Sequence, residues 1–288
     1  MSEHANLLSK YQDLFRCPIC FSPMETAHSQ SLVCRRRHCF DIARQGYVNL
    51  SVRPVHTLYD KRLFASRRIL GRSGFFDPLY DILCKKIVKA GRAENQRIRL
   101  LDAGCGEGTH LHRMQETIRR DFGMELLGVG VDLSKDGIRL ASREYPNAIW
   151  CVADLAHCPF APSSFDCIVN MLSPSNYAGF RRMLTDDGAL IKVIPGKDYL
   201  KEWRELIHGG TGKPSYSNDR TVSRFQEHFK LVEADRVRYR YALDDTLIQP
   251  LLRMTPLSWG VAEERLQQAL DRNLKEITVD LTILVGRT

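Results

Sequence analysis

The sequence predicts an α/β chain, a doubly wound and mostly parallel sheet preceded by a small metal-pinned module. Three observations carry that prediction. A mostly apolar run closing on an acid, Ile98 to Asp102, leads directly into Gly104, Gly106 and Gly108. That is the order strand, tight turn, helix start. Apolar runs then alternate with helix-period segments as far as residue 195, the pattern of strand–helix–strand units. Near the start, Cys17-Pro-Ile-Cys20 and Cys34-x-x-x-His38 offer the ligand types and spacing of one tetrahedral zinc ion.

The totals bound the reading. The 288 residues make one large or two modest domains. With 43% hydrophobic and 26% charged residues the chain has the mix of a soluble globular protein. No run of about 18 apolar residues occurs, which removes a transmembrane helix and a membrane partner from the expectation. Met1 to Arg16 has no apolar signal core, so the expected location is the cytoplasm. Residues 1–72 hold twelve Lys/Arg against five acids, which is +7 of the total +8. A basic first quarter on a near-neutral body points to a polyanion partner. Nine cysteines, odd in number and dispersed, argue for reduced thiols. Cys84, Cys105, Cys151, Cys158 and Cys167 read as small core residues.

The first unit covers residues 1–50. Cys17, Cys20, Cys34 and His38 form a closed Cys3His set with no open position for water, so the metal is structural. Cys39, next to His38, is the rival fourth ligand. Arg35-Arg36-Arg37 lies on the loop between ligands, and Arg44 extends the basic surface. Arginines among aromatics suit RNA, by phosphate pairing and base stacking. Phe40 reads as module core, and Tyr47 to Leu50 as a small strand packing under the loop.

Residues 51–97 are a basic linker and helical connector. Ser51 to Tyr59 reads as linker, Asp60 to Arg72 as a basic helix broken at Ser73-Gly74, and Asp77-Pro78 as the start of a helix ending across Gly91 to Gln96. Phe75 and Phe76 sit at its mouth, where spacing alone does not choose between cofactor and core.

Residues 98–288 carry the glycine loop. A helix over His110 to Arg120 leads to a second strand, Glu125 to Val131, ending at Asp132. An acid there can accept both hydroxyls of a ribose. A helix over Lys135 to Tyr145 and a third strand, Ala148 to Val152, lead to Asp154-Leu155, where an acid can meet an adenine amino group. The fourth strand, Phe165 to Val169, runs into Asn170-Met-Leu-Ser-Pro-Ser-Asn176. A helix over Phe180 to Leu184, a turn at Asp186-Asp187-Gly188 and a fifth strand, Ala189 to Ile194, follow. Two last strands, Val232 to Leu243 and Ile277 to Val285, flank a helical insertion over Asp244 to Ala269. A hairpin-like end after five strand–helix units suits the Rossmann-like class I methyltransferase fold better than a six-parallel-strand dehydrogenase. Asp102 at the strand end points the same way: a pyrophosphate would gain nothing from an acid there, whereas a sulfonium with a free amino group would. S-adenosylmethionine is therefore the expected cofactor.

Cys17-Pro-Ile-Cys20, Cys34-x-x-x-His38, Phe40-Asp-x-Ala, Gly46-Tyr-Val-Asn-Leu50, Asp102-Ala-Gly-Cys-Gly-Glu-Gly108 and Met254-Thr-Pro-Leu-Ser-Trp259 together resemble the RlmA family, bacterial 23S ribosomal RNA guanine-N1 methyltransferases. The likeness runs over essentially the whole chain. It implies a zinc module that grips an RNA stem-loop, a domain that binds S-adenosylmethionine, and a homodimer with an RNA-binding cleft. Gly106 and Glu107 match the family's cofactor loop. Phe76 stands where the family commonly has a Tyr against the cofactor, and Tyr199 where some members have a His. Both keep a flat ring and change the hydrogen bonding. One branch is linked to resistance to tylosin-type macrolides, which extends the expectation to antibiotic resistance.

The reaction expected is methyl transfer to N1 of a flipped-out loop guanine, with in-line positioning supplying most of the rate. Asn170, Ser173 and Asn176 cap the fourth strand and are the candidates to hold the base edge; no residue reads as a convincing general base. Two rivals stand beside it: a small-molecule methyltransferase with a structural zinc module, and a non-catalytic zinc RNA-binding protein.

Overall fold

The computed structural model describes residues 3–53, 59–91, 97–209, 217–272 and 274–288. Parts of the linker read over 51–59 and of the helix end read over 91–96 lie outside the described residues. In chain order come α1 (Glu3–Lys10), β1 (Met24–Ala27), β2 (Ser31–Cys34), β3 (Cys39–Asp41) and β4 (Val48–Asn49). Then follow α2 (Lys61–Arg72), α3 (Asp77–Ala90), β5 (Arg97–Ala103), α4 (Thr109–Phe122), β6 (Glu125–Asp132), α5 (Lys135–Glu144), β7 (Ala148–Val152) and β8 (Phe165–Met171). The chain closes with α6 (Tyr177–Met183), β9 (Leu184–Pro195), α7 (Lys201–His208), α8 (Asp219–Gln226), β10 (Lys230–Ala242), α9 (Asp245–Met254), α10 (Glu263–Asp271) and β11 (Glu276–Arg287).

The small sheet β1-β2-β3 is antiparallel and carries the metal module. The large sheet runs β10-β11-β9-β8-β5-β6-β7-β4. Its strands β9, β8, β5, β6, β7 and β4 are parallel, and β11 enters antiparallel between β9 and β10. The order reverses at β5, so the loops after β5 and β8 open beside each other at the carboxyl ends of the strands, where such sheets bind ligands. Apolar side chains cover both faces. Leu79, Leu83 and Ile87 of α3 lie on one, and Phe160, Phe165 and Phe180 on the other, all fully buried.

Three expectations are corrected. Tyr47 to Leu50 does not make a strand confined to the zinc module: Val48 and Asn49 pair in parallel with Cys151 and Val152 and form the edge of the large sheet. Asp186-Asp187-Gly188 does not precede the fifth strand but lies inside it, where pairing with β8 skips from Leu184 to Ala189. The helix before it starts three residues earlier than read, at Tyr177, because Asn176 caps it through Gly179 N–H at 3.1 Å. The module and body are also stitched together. Phe15 bridges Phe160, Arg16 N–H donates to Pro159 O at 2.9 Å, and Ala161 N–H donates to Leu14 O at 2.8 Å.

Candidate active site and metal centre

Cys17, Cys20, Cys34 and His38 bring one ligand atom each to within 4.8 Å of one another. His38 Nδ1 lies 3.4 Å from both Cys17 Sγ and Cys34 Sγ, and Cys20 Sγ lies 3.7 Å from Cys34 Sγ. Zinc bonds of about 2.3 Å to sulfur and 2.0 Å to nitrogen give tetrahedral edges of about 3.8 and 3.6 Å, so the set fits zinc. The Ser22 hydroxyl, 3.1 Å from Cys20 Sγ, pulls that thiol down to about 6, favouring the thiolate a metal needs. Cys39 stands apart: it is exposed and its thiol faces Asp41. Arg35, Arg36 and Arg37 are exposed beside the cluster, Arg37 with φ +62°, and Arg44 is exposed as well. None of the four makes an ion pair among the described residues.

The glycine loop forms the floor of a cavity of roughly 850 Å³. Gly104, Gly106 and Gly108 all have positive φ, at +90°, +58° and +83°. At Gly104 a Cβ would stand 2.0 Å from Ser173 Oγ, so only glycine lets the loop after β8 come this close. Asp132, at the end of β6, accepts Gly106 N–H at 2.9 Å and Ser134 N–H at 2.8 Å and lines the cavity. Asp154 and Leu155 line it too; Asp154 is exposed and caps the following turn through Ala156 N–H at 2.8 Å. Phe76 and Tyr199 form part of the wall, Phe76 edge-on to His110 at 5.0 Å. Burial pushes the Tyr199 phenol up, so it stays a neutral donor.

Two acids of this floor each keep one carboxyl oxygen without a partner. Asp102 Oδ2 and Glu107 Oε1 are buried with no hydrogen bond. Burial, then the charges of Asp132 and Glu107, raises Asp102 to about 8, and burial likewise raises Glu107. Unsatisfied carboxylates grouped beside a glycine cradle fit a ligand that brings a cation and an amino group. S-adenosylmethionine is such a ligand. Glu107 faces the cavity, while Asp102 sits behind its lining.

The three candidates for holding the base edge separate. Ser173 lines the cavity. Asn170 is fully buried behind the wall. Its amide donates to Ala103 O at 2.7 Å and Pro174 O at 3.1 Å, and its Oδ1 accepts from Ser175 Oγ and Lys192 Nζ. Asn176 also lies outside this cavity, holding Leu155 O, Ala156 O and Gly179 N–H. Both amides stitch loops together and have no donor to spare for a base.

Sequence reasoning missed the cationic residues of the wall, Arg67, Lys192, Arg204, Arg220 and Arg224, and the first two stand beside the glycine floor and the loop after β8. Arg67 reaches the wall from α2, with its guanidinium 5.2 Å from the Tyr59 ring centre. It meets no carboxylate at ion-pair distance among the described residues, and its charge favours ionisation of Glu107 and Asp132. Its place beside the buried stripe of α2 hid it among four other basic residues, Lys61, Arg62, Arg68 and Arg72. Lys192 reaches the wall from β9, a run otherwise read as core. Met254, Thr255 and Leu257 of the Met254–Trp259 motif close the cavity from the insertion, and Trp259 packs edge-on to Tyr59 at 5.6 Å.

A sheet with this order, a glycine floor and acids after β6 and β7 define a class I S-adenosylmethionine-dependent methyltransferase, here carrying a zinc ribbon. Residues 15–57 match the family model described as "RlmA, N-terminal", and residues 100–188 match a methyltransferase-domain model. The chain belongs to the RlmA family. It is 42% identical over 95% of its length, and 96% of the other chain, to YxjB of Bacillus subtilis (strain 168), whose name assigns it provisionally to 23S rRNA guanine-N(1) methylation. It is 31% identical, over 94% and 96%, to the 23S rRNA (guanine(748)-N(1))-methyltransferase of Streptomyces fradiae.

Proposed function

We propose that this enzyme transfers a methyl group to N1 of a guanine in a stem-loop of 23S ribosomal RNA. One observation carries the reading: the likeness to rRNA guanine-N1 enzymes runs through the ribbon and the cofactor domain together, with 94–95% of this chain covered. The stitching of Leu14, Phe15 and Arg16 to residues 159–161 supports it. RNA held on Arg35, Arg36, Arg37 and Arg44 would stand in fixed relation to the cavity. Phe21, 68% exposed on the knuckle, offers a face on which an unpaired base can stack.

Bound S-adenosylmethionine supplies an electrophilic methyl group. Asp132 would take the ribose hydroxyls, Asp154 and Leu155 the adenine, Glu107, with Asp102 behind it, the amino end, and Arg67 the carboxylate. Gly104 and Gly106 admit the cofactor to the backbone, Phe76 and Tyr199 exclude water around it, and Ser173 meets the target base. We place the enzyme in the cytoplasm as a homodimer. No described helix is long and apolar enough to cross a membrane, and static light scattering checks the assembly. Protection against tylosin-type macrolides belongs to this reading; the test is a drop in the inhibitory concentration on deleting the gene.

The decisive assay incubates purified protein with labelled methyl donor and deproteinised ribosomal RNA. Label in RNA, recovered as N1-methylguanine, supports the proposal. Unlabelled RNA beside a labelled small molecule supports the rival small-molecule methyltransferase.

A further inference from the structure

Lys192 is a cation buried without an anion. Its side chain lies in a residue only 5% exposed. The ammonium donates to Asn170 Oδ1 at 2.6 Å and to Ser173 O at 2.7 Å, both neutral acceptors. No carboxylate lies within ion-pair distance among the described residues. Yet it lines the same cavity as Gly104, Ser173 and Pro174. Desolvation alone lowers its affinity for a proton, to about 8. A buried ammonium is costly unless something offsets the charge, and two neutral oxygens leave one of its three N–H donors unassigned.

The neighbours explain how it is aimed. Asn170 and Lys192 are direct partners across β8 and β9. Asn170 also binds Ala103 O, just before Gly104, at 2.7 Å. One buried network therefore joins the ammonium, the loop 173–175 and the floor of the cofactor site.

We propose that the free N–H of Lys192 donates to O6 of the target guanine and stabilises the negative charge that appears there as N1 loses its proton. The proposal rests on the guanine-N1 reading given above. The chemistry selects that atom. The N1–H proton leaves to solvent, and its electron pair spreads over N1, C6 and O6. The N1–carbon bond then forms as the donor's sulfur–carbon bond breaks, giving a neutral thioether and a neutral methylated base. O6 is thus anionic only around the transfer step, so a fixed cation beside it acts on the transition state more than on the bound substrate. An adenine carries an amino group at that position, so the same ammonium would repel it. Lys192 would then select guanine as well as speed its methylation.

The test is single-turnover methylation of 23S rRNA by Lys192→Met, with cofactor affinity by calorimetry and RNA affinity by filter binding. Wild-type enzyme run in parallel must yield N1-methylguanine. The expected result is a rate lower by about 100-fold or more, the loss found on removing one preorganised donor, with both affinities within about threefold of wild type. Lys192→Ala, with its smaller side chain, should regain rate with ethylammonium and not with ethanol, which a merely loop-supporting lysine would not show. The thermal midpoint of Lys192→Met should stand at or above that of wild type, since the change removes an uncompensated buried charge. A Lys192→Met rate within threefold of wild type overturns the proposal. So does a rate loss matched by an equal loss of cofactor affinity, because the lysine then only supports the loop. If wild-type enzyme leaves guanine N1 unmethylated, the underlying reading falls and the role at O6 falls with it.

Discussion

Asp132 Oδ2 accepts the Gly106 N–H at 2.9 Å, so the end of β6 holds the turn of the glycine loop that follows β5. The same carboxylate holds the turn before α5 through Ser134 N–H at 2.8 Å, and Ser134 in turn caps that helix. The residue proposed to meet the cofactor ribose thus also sets the shape of the glycine floor. Asp132→Ala should weaken S-adenosylmethionine binding by about 10- to 100-fold, the range of a lost charge-assisted hydrogen bond. Calorimetry measures it, and RNA affinity should stay near wild type.

Burial of Asp102 makes stability depend on pH. Its folded carboxyl titrates near 8 against an unfolded value of 3.8. Below pH 4 both states hold the proton. As pH rises from about 4 to 8 the unfolded chain releases it while the folded chain keeps it, so the cofactor-free protein loses stability across that window and no further above it. Asp102→Asn removes this contribution. Urea unfolding at pH 5 and pH 8 should show the variant closing about 1–3 kcal/mol of the gap, while its cofactor affinity falls.

The metal centre makes a prediction that separates two neighbours. Cys39→Ser should keep one zinc per chain, since that thiol is exposed and faces Asp41. His38→Ala should lose metal and loosen residues 15–41. Atomic absorption with limited proteolysis reads both. Metal retained in His38→Ala and lost in Cys39→Ser would reverse the assignment.

Much of this was legible in the chain because the signals are local. Asp102 to Gly108 marks strand, turn and helix within seven residues, and Asp132 and Asp154 mark the next two strand ends. The ligand spacing of the ribbon is equally local. What escaped notice depends on distant partners. Val48–Asn49 is too short to announce a strand, and its partner Cys151 lies about a hundred residues on. Asn170 and Asn176 look like free polar ends in sequence, and only packing shows their amides spent on backbone carbonyls. Lys192 and Arg67 carry no motif. One interrupts an apolar strand and the other sits in a basic helix, and only the fold turns both toward the cavity.

The basic loop should act through phosphates. Replacing Arg35, Arg36 and Arg37 together by Ala should weaken RNA binding similarly across sequences. The slope of log affinity against log salt should fall by about 2 to 3, near 0.7–0.9 per contact. Filter binding at several salt concentrations checks this, and cofactor affinity should not move.

The most direct measurement is a reverse-transcription stop map of cellular 23S rRNA with and without the gene. Methylation at N1 removes a Watson–Crick donor and halts the copying enzyme. The guanine-N1 reading predicts one stop at a stem-loop guanine that vanishes on deletion and returns with the wild-type gene. An unchanged map, or a gene-dependent stop at an adenine, would contradict it.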